Sequence, residues 1–174
     1  MKADLSVHGP AGTLKRYLAS GQTAIQAGEP LHSVATQSSG AATDNVFVLA
    51  AADTPVIATH RFGGVALENS LNASAGTTNA QTLNAACPVP YVGIIRGKAE
   101  TAGNIDTAAE LVAILHDYVL IDYNATGAAD GGQLYTIKDT AAADTSGLEI
   151  QDGNISLGTL DVTIDARAYR HDVT

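Results

Sequence analysis

At 174 residues the chain can bury about 70% of its unfolded surface in one domain, so folding requires neither a disulfide framework nor a structural metal. Its formal net charge is −9, and Lys138 is the sole Lys or Arg between Glu100 and Asp165; nucleic acid is excluded as a partner, because each phosphate contact needs a cation. Cys87 is alone, which excludes an internal disulfide, and no run reaches the roughly 18 apolar residues of a membrane helix.

Residues 1–12 show no periodicity and contain Gly9-Pro10-Ala11-Gly12, which predicts an extended, flexible N-terminal arm. Met1-Lys2-Ala3-Asp4-Leu5 lacks the apolar stretch of a signal peptide, so synthesis in a cytoplasm is expected. Residues 13–174 read as a single β-rich domain. Thr13–Ala19 is a candidate strand, and Gly28-Glu29-Pro30 turns the chain into an extended Leu31–Val34. Val46–Ala50 and Val56–Phe62, separated by Asp53-Thr54-Pro55, carry the spacing of a hairpin. Leu71–Asn84 is rich in Asn, Ala, Ser, Thr and Gly and reads as a long loop ended by Pro88-Val89-Pro90; Tyr91–Gly97 follows as a strand.

One helix is predicted, near 107–117. Thr107-Ala108-Ala109-Glu110 is a capping box, and Leu111, Ile114, Leu115 and Tyr118 fall on one face. Strands are then expected at Val119–Tyr123 and Leu134–Lys138, followed by a tight hairpin turning at Asp152-Gly153. In the closing stretch Leu160, Val162, Ile164, Ala166 and Ala168 alternate with Asp161, Thr163, Asp165, Arg167 and Tyr169, the pattern of a strand covering a core on one side. With only 5% aromatic residues and no Trp, the core must come from Val, Ile, Leu and Tyr. The sum is a mainly β fold: a small antiparallel barrel or sandwich with one short helix and an N-terminal arm.

Catalytic motifs are missing: there is no Gly-x-Ser-x-Gly elbow, no His-Glu-x-x-His and no phosphate-binding Gly-x-x-x-x-Gly-Lys-Ser/Thr loop. His8, His32, His60, His116 and His171 are scattered without metal-ligand spacing. Asp122–Asp130 imitates the start of a calcium loop, but Gln133 occupies the twelfth position, where a bidentate carboxylate is needed. Asp139 and Asp144 read as solvated loop carboxylates. No catalytic, cofactor-binding or metal-binding residue is therefore expected.

Ala27-Gly28-Glu29-Pro30-Leu31, Phe62-Gly63-Gly64-Val65-Ala66-Leu67-Glu68 and the closing Leu160–Arg170 resemble, in style and order, segments of the head-decoration (capsid cement) proteins of tailed bacteriophages. The last segment resembles the larger marine and cyanobacterial phage members. This resemblance implies a β-tulip-type domain, a homo-oligomer with the trimer favoured, and a place on the outer surface of the virion, bound to the major capsid protein. It implies that the arm adds a strand to that protein, with Lys2, Leu5 and Val7 as contacts. Greater length and the added helix set this chain apart from the smallest members. Two further readings stay open: a tail or baseplate component of the virion, and a glycoside hydrolase or sugar-binding barrel using Asp122, Asp161 and Asp165.

Overall fold

The computed structural model describes residues 5–18, 25–34, 46–49, 60–69, 82–123, 135–142 and 146–169. They form a mainly β structure with a single α-helix, in the class the sequence predicts. The larger core lies under a four-stranded antiparallel sheet in the order β1 (Leu5–His8), β7 (Ile94–Lys98), β11 (Thr159–Ile164), β10 (Leu148–Asn154). β-branched residues crowd its centre, where such side chains pack well on a pleated surface. Ile95, Leu160, Val162 and Ile164 are all fully buried there, each burial stabilising the fold by about 1.5–3 kcal/mol.

The N-terminal segment departs from the expected arm. Leu5–His8 pairs with Ile94–Gly97, and Leu5 is only 2% exposed. The reason is Gly97: a side chain there would come within 2.5 Å of Leu5 Cδ2, so the glycine opens the seat that Leu5 fills. The next strand, β2 (Ala11–Leu18), begins two residues before its predicted start.

A second set of strands comprises β2, β3 (Pro30–Val34), β4 (Val46–Leu49), β5 (His60–Ala66) and β6 (Thr82–Pro88). β2 pairs with β6 on one side and with β4 on the other, so the order β2-β4-β3-β5-β6 closes on itself. The β2–β4 pairing is parallel and the others antiparallel. Among the described residues Ile25, Leu31, Ala66, Leu83 and Ala85 form the buried cluster of this set. The predicted hairpin of the Val46 and Val56 segments is not formed: β3 lies between β4 and β5 and pairs with both. Gly64, at φ +107, allows the close approach of β5 to β6, because a side chain would meet Ala86 O at 2.8 Å. Phe62 and Val65 of β5 join the larger core, so the two strand sets share a packed interface.

The helix α1 (Ala108–Ile114) carries both bonds of its capping box, with Thr107 and Glu110 as partners, but is shorter than predicted. Leu115 leaves helical geometry and His116 takes φ +69, which stops the helix. The chain then runs along β10: His116 N donates to Ile150 O and Val119 N to Leu148 O. A two-stranded ribbon follows, β8 (Ile121–Tyr123) with β9 (Tyr135–Ile137). Three further expectations are corrected in the last third. Asp152-Gly153 lies within β10 beside a register shift, and the turn falls at 155–158, where Asn154 Oδ1 accepts from Leu157 N and Gly158 takes φ +59. The polar face of β11 is covered, with Asp161 and Thr163 buried, and the Arg96 side chain of the neighbouring β7 lies against Asp161. Ala166–Tyr169 is a 3-10 turn, not a strand continuation.

Candidate functional site

The carboxylates singled out in the sequence are separated by the fold, and each is held by its own cation. Asp161 of β11 lies opposite Arg96 of β7, which donates through Nε and Nη2 at 2.6 Å each. Such a two-pronged bond holds both groups in one geometry. Asp165 stands just beyond the strand. Its burial favours the neutral acid, but the Arg167 amide, the Tyr91 hydroxyl and the Arg167 guanidinium outweigh that, leaving the carboxyl below its ordinary range. Asp122 of β8 faces Lys138 at 3.6 Å. Residues 124–134, with the rest of the calcium-like segment, lie outside the described residues, as does Asp144.

One carboxylate group does converge, around a residue the sequence did not flag. Glu100 follows β7; its amide donates to Ile137 O at 2.8 Å, which brings it beside the β8–β9 ribbon. Burial, then the negative charges of Asp122 and Asp139 and a hydrogen bond with Asp122, hold the Glu100 carboxyl above its ordinary range, against the opposing pull of Lys138. Asp139 is 5% exposed and accepts the Thr101 amide at 3.0 Å, so it is a structural acceptor, not a solvated loop group. Thr136 stands directly opposite Asp122 and has a buried hydroxyl without a hydrogen-bond partner among the described residues. The arrangement can share a proton between Glu100 and Asp122. Among the described residues no three His, Cys, Asp or Glu side chains are placed to hold a metal ion.

Of the predicted contact residues, Leu5 is buried in the core and Val7 is half-buried against it; Lys2 lies outside the described residues. Leu5 is thereby packed into its own chain instead of projecting on a free arm. Cys87 is a buried free thiol. Burial pushes its pKa up, only partly offset by Arg16, whose Nη2 lies 3.4 Å from Sγ while Nε donates to Gly63 O. His116 pairs with Glu149 at 3.0 Å on the exposed flank of β10. None of the described residues forms a helix long and apolar enough to cross a membrane.

The remaining feature is the turn from Pro88 to Gly93, which the sequence pattern presented as a loop end running into a strand. It is a rigid projection. Val89 N donates to Pro10 O, Gly93 N to Val89 O, Tyr91 N to Ile164 O, and Tyr169 Oη to Pro88 O. Tyr91 is held at φ +64 and its hydroxyl donates to Asp165 at 2.7 Å. Yet Val89, Tyr91 and Val92 are 42%, 62% and 57% exposed. The signal available in the sequence was the pair of prolines followed by glycine, which marks a fixed turn. No family model matches this chain, and no curated protein or solved structure matches it either.

Proposed function

We propose that this chain is a structural virion protein that binds the outer surface of a mature phage capsid and stabilises it by bridging neighbouring capsid subunits. The observation that carries the reading is the division of its surface chemistry. Asp161, Asp165 and Asp122 each face a cation of the same chain, whereas Val89, Tyr91 and Val92 are turned to solvent on a locked turn. A surface of this kind packs against a protein partner. The resemblance of the Ala27–Leu31, Phe62–Glu68 and Leu160–Arg170 segments to head-decoration proteins supplies the partner, the major capsid protein. The net charge of −9 supports the outer over the inner surface, since packaged DNA repels it. Many weak contacts on one shell act together, so modest affinity per copy suffices. Cosedimentation with expanded heads and with compact precursor heads tests the proposal. Binding to expanded heads alone is expected; equal binding to both, or none, overturns it. Immunogold label on tails with bare heads would move the protein to the tail or baseplate.

A second reading has one observation in its favour. The Glu100 carboxyl, raised by burial and by the neighbouring Asp122, is the kind of group that serves as the acid in glycoside chemistry, with a second carboxylate close by. Hydrolysis of an oligosaccharide that disappears in Glu100→Gln and Asp122→Asn would establish it; hydrolysis undiminished in both variants would dispose of it.

A further inference from the structure

We infer that two copies of this chain associate about a two-fold axis, the apolar turn at 89–92 of each seating in a groove beside β1 of the other. The groove has a volume of about 370 Å³. Its floor is a row crossing three strands, since Thr13 pairs with Ala86 and Ala86 with Val65, and paired residues share a face of the sheet. Leu5, Ser6 and Val7 of β1 form one wall together with Ala27 and Gly28, whose carbonyl accepts the Leu5 amide at 3.0 Å, and β1 is the end strand of its sheet. The described lining carries no charged side chain.

Four observations name a second copy as the occupant. First, an exposed surface of the same apolar character is on this chain: Val89, Tyr91 and Val92 project an uncharged tip. Second, the tip is already ordered by its hydrogen bonds, so little conformational entropy remains to be lost on docking. Third, among the described residues neither tip nor groove carries a charged side chain, so their contact suits an uncharged protein surface better than a lipid headgroup or a nucleic acid. Fourth, tip and groove adjoin. Both border the Gly9–Pro10 link, with Val89 N bonded to Pro10 O and with Val7 and Ala11 at the groove. A projection next to its own socket suits a reciprocal two-fold contact, in which each copy gives and receives once. A three-copy ring would need tip and socket on faces turned well away from each other. The contact is independent of the capsid reading.

Sedimentation velocity of the full chain over a range of concentrations tests the inference. A reversible monomer–dimer equilibrium is expected. Val92→Asp puts a charge on the tip, and Thr13→Arg puts a large cation on the groove floor; each should weaken association by about tenfold or more. Both positions are exposed, so circular dichroism should match the parent chain. Mixing the two variants should restore part of the dimer, because a mixed pair keeps one intact tip and one intact socket that face each other. A parent chain that stays monomeric overturns the inference, as does a three-copy ring. Dimers unaffected by either substitution, or by Val89→Ser as a third, do so too.

Discussion

Glu100 shows how burial and neighbouring charge set a stability that depends on pH. Its carboxyl is held above the ordinary range by burial and then by Asp122 and Asp139, so the folded chain binds that proton more tightly than the unfolded one does. The resulting stabilisation is complete below the ordinary glutamate pKa and is lost as pH rises through the folded value. At neutral pH the ionised group is a burden on the seam between β7 and the β8–β9 ribbon. Glu100→Gln should therefore raise the thermal midpoint at neutral pH and flatten its rise on mild acidification; an unchanged profile would show the seam indifferent to this charge. Asp165 has the opposite sign: its support is present above the ordinary aspartate pKa and is lost as pH falls through the lowered folded value. Asp161 tests the role of a paired carboxylate. Asp161→Asn removes one acceptor from a two-pronged bond with a half-exposed arginine, and a loss of about 1 kcal/mol in urea denaturation is expected. Val162→Asp differs in kind, since it places an unpaired charge where exposure is 0%; soluble, native-like protein would contradict the assigned core face.

Strands were legible in the sequence wherever alternation ran against a core, and β2, β3, β9 and β11 fall largely where the pattern put them, whereas β6 occupies a stretch read as the end of a loop. Their partners were not legible. Alternation reports which face is apolar and is silent about which strand lies alongside, so the neighbour in sequence is the default guess. That guess fails at β4 and β5, where β3 intervenes. The candidate site was hidden for the same reason: the Arg96–Asp161 pair joins residues 65 apart, and Glu100 meets Asp122 through pairing of β9 with the end of β7. The capping box was legible because its two partners are three residues apart. The segment at the N-terminus was misread because a four-residue edge strand has too little length for a period, and its fit depends on Gly97, far along the chain. Removing residues 1–8 should accordingly do more than trim an arm. It uncovers the core face filled by Leu5 and exposes the edge of β7, and a loss of about 2–4 kcal/mol is expected in chemical denaturation. A truncated chain as stable as the parent would restore the free-arm interpretation.

The molecule as a whole has two cores of unequal strength, joined along β5. The larger gathers Leu5, Ile95, Val119, Ile121, Tyr135, Leu160, Val162 and others under the four-stranded sheet. Among the described residues the smaller, at the closed set of strands, holds Ile25, Leu31, Leu83 and two alanines. Alanine contributes little apolar area, so by the proportion between area and free energy the smaller core is the weaker one among the described residues. It is not independent, since Phe62 and Val65 from its wall pack into the larger core and Phe62 meets Tyr169 edge-on at 5.9 Å. Failure should then run in one direction. Leu83→Ala hollows the small core and should open β2–β6 while the four-stranded sheet keeps its amide protection, giving two steps in hydrogen exchange where the parent gives one. Leu160→Ala weakens the larger core, on which the other leans, and should lower the stability of both together. Hydrogen exchange followed segment by segment decides between this hierarchy and a single cooperative unit: uniform loss of protection in Leu83→Ala would mean that the interface at β5 is as strong as the larger core itself.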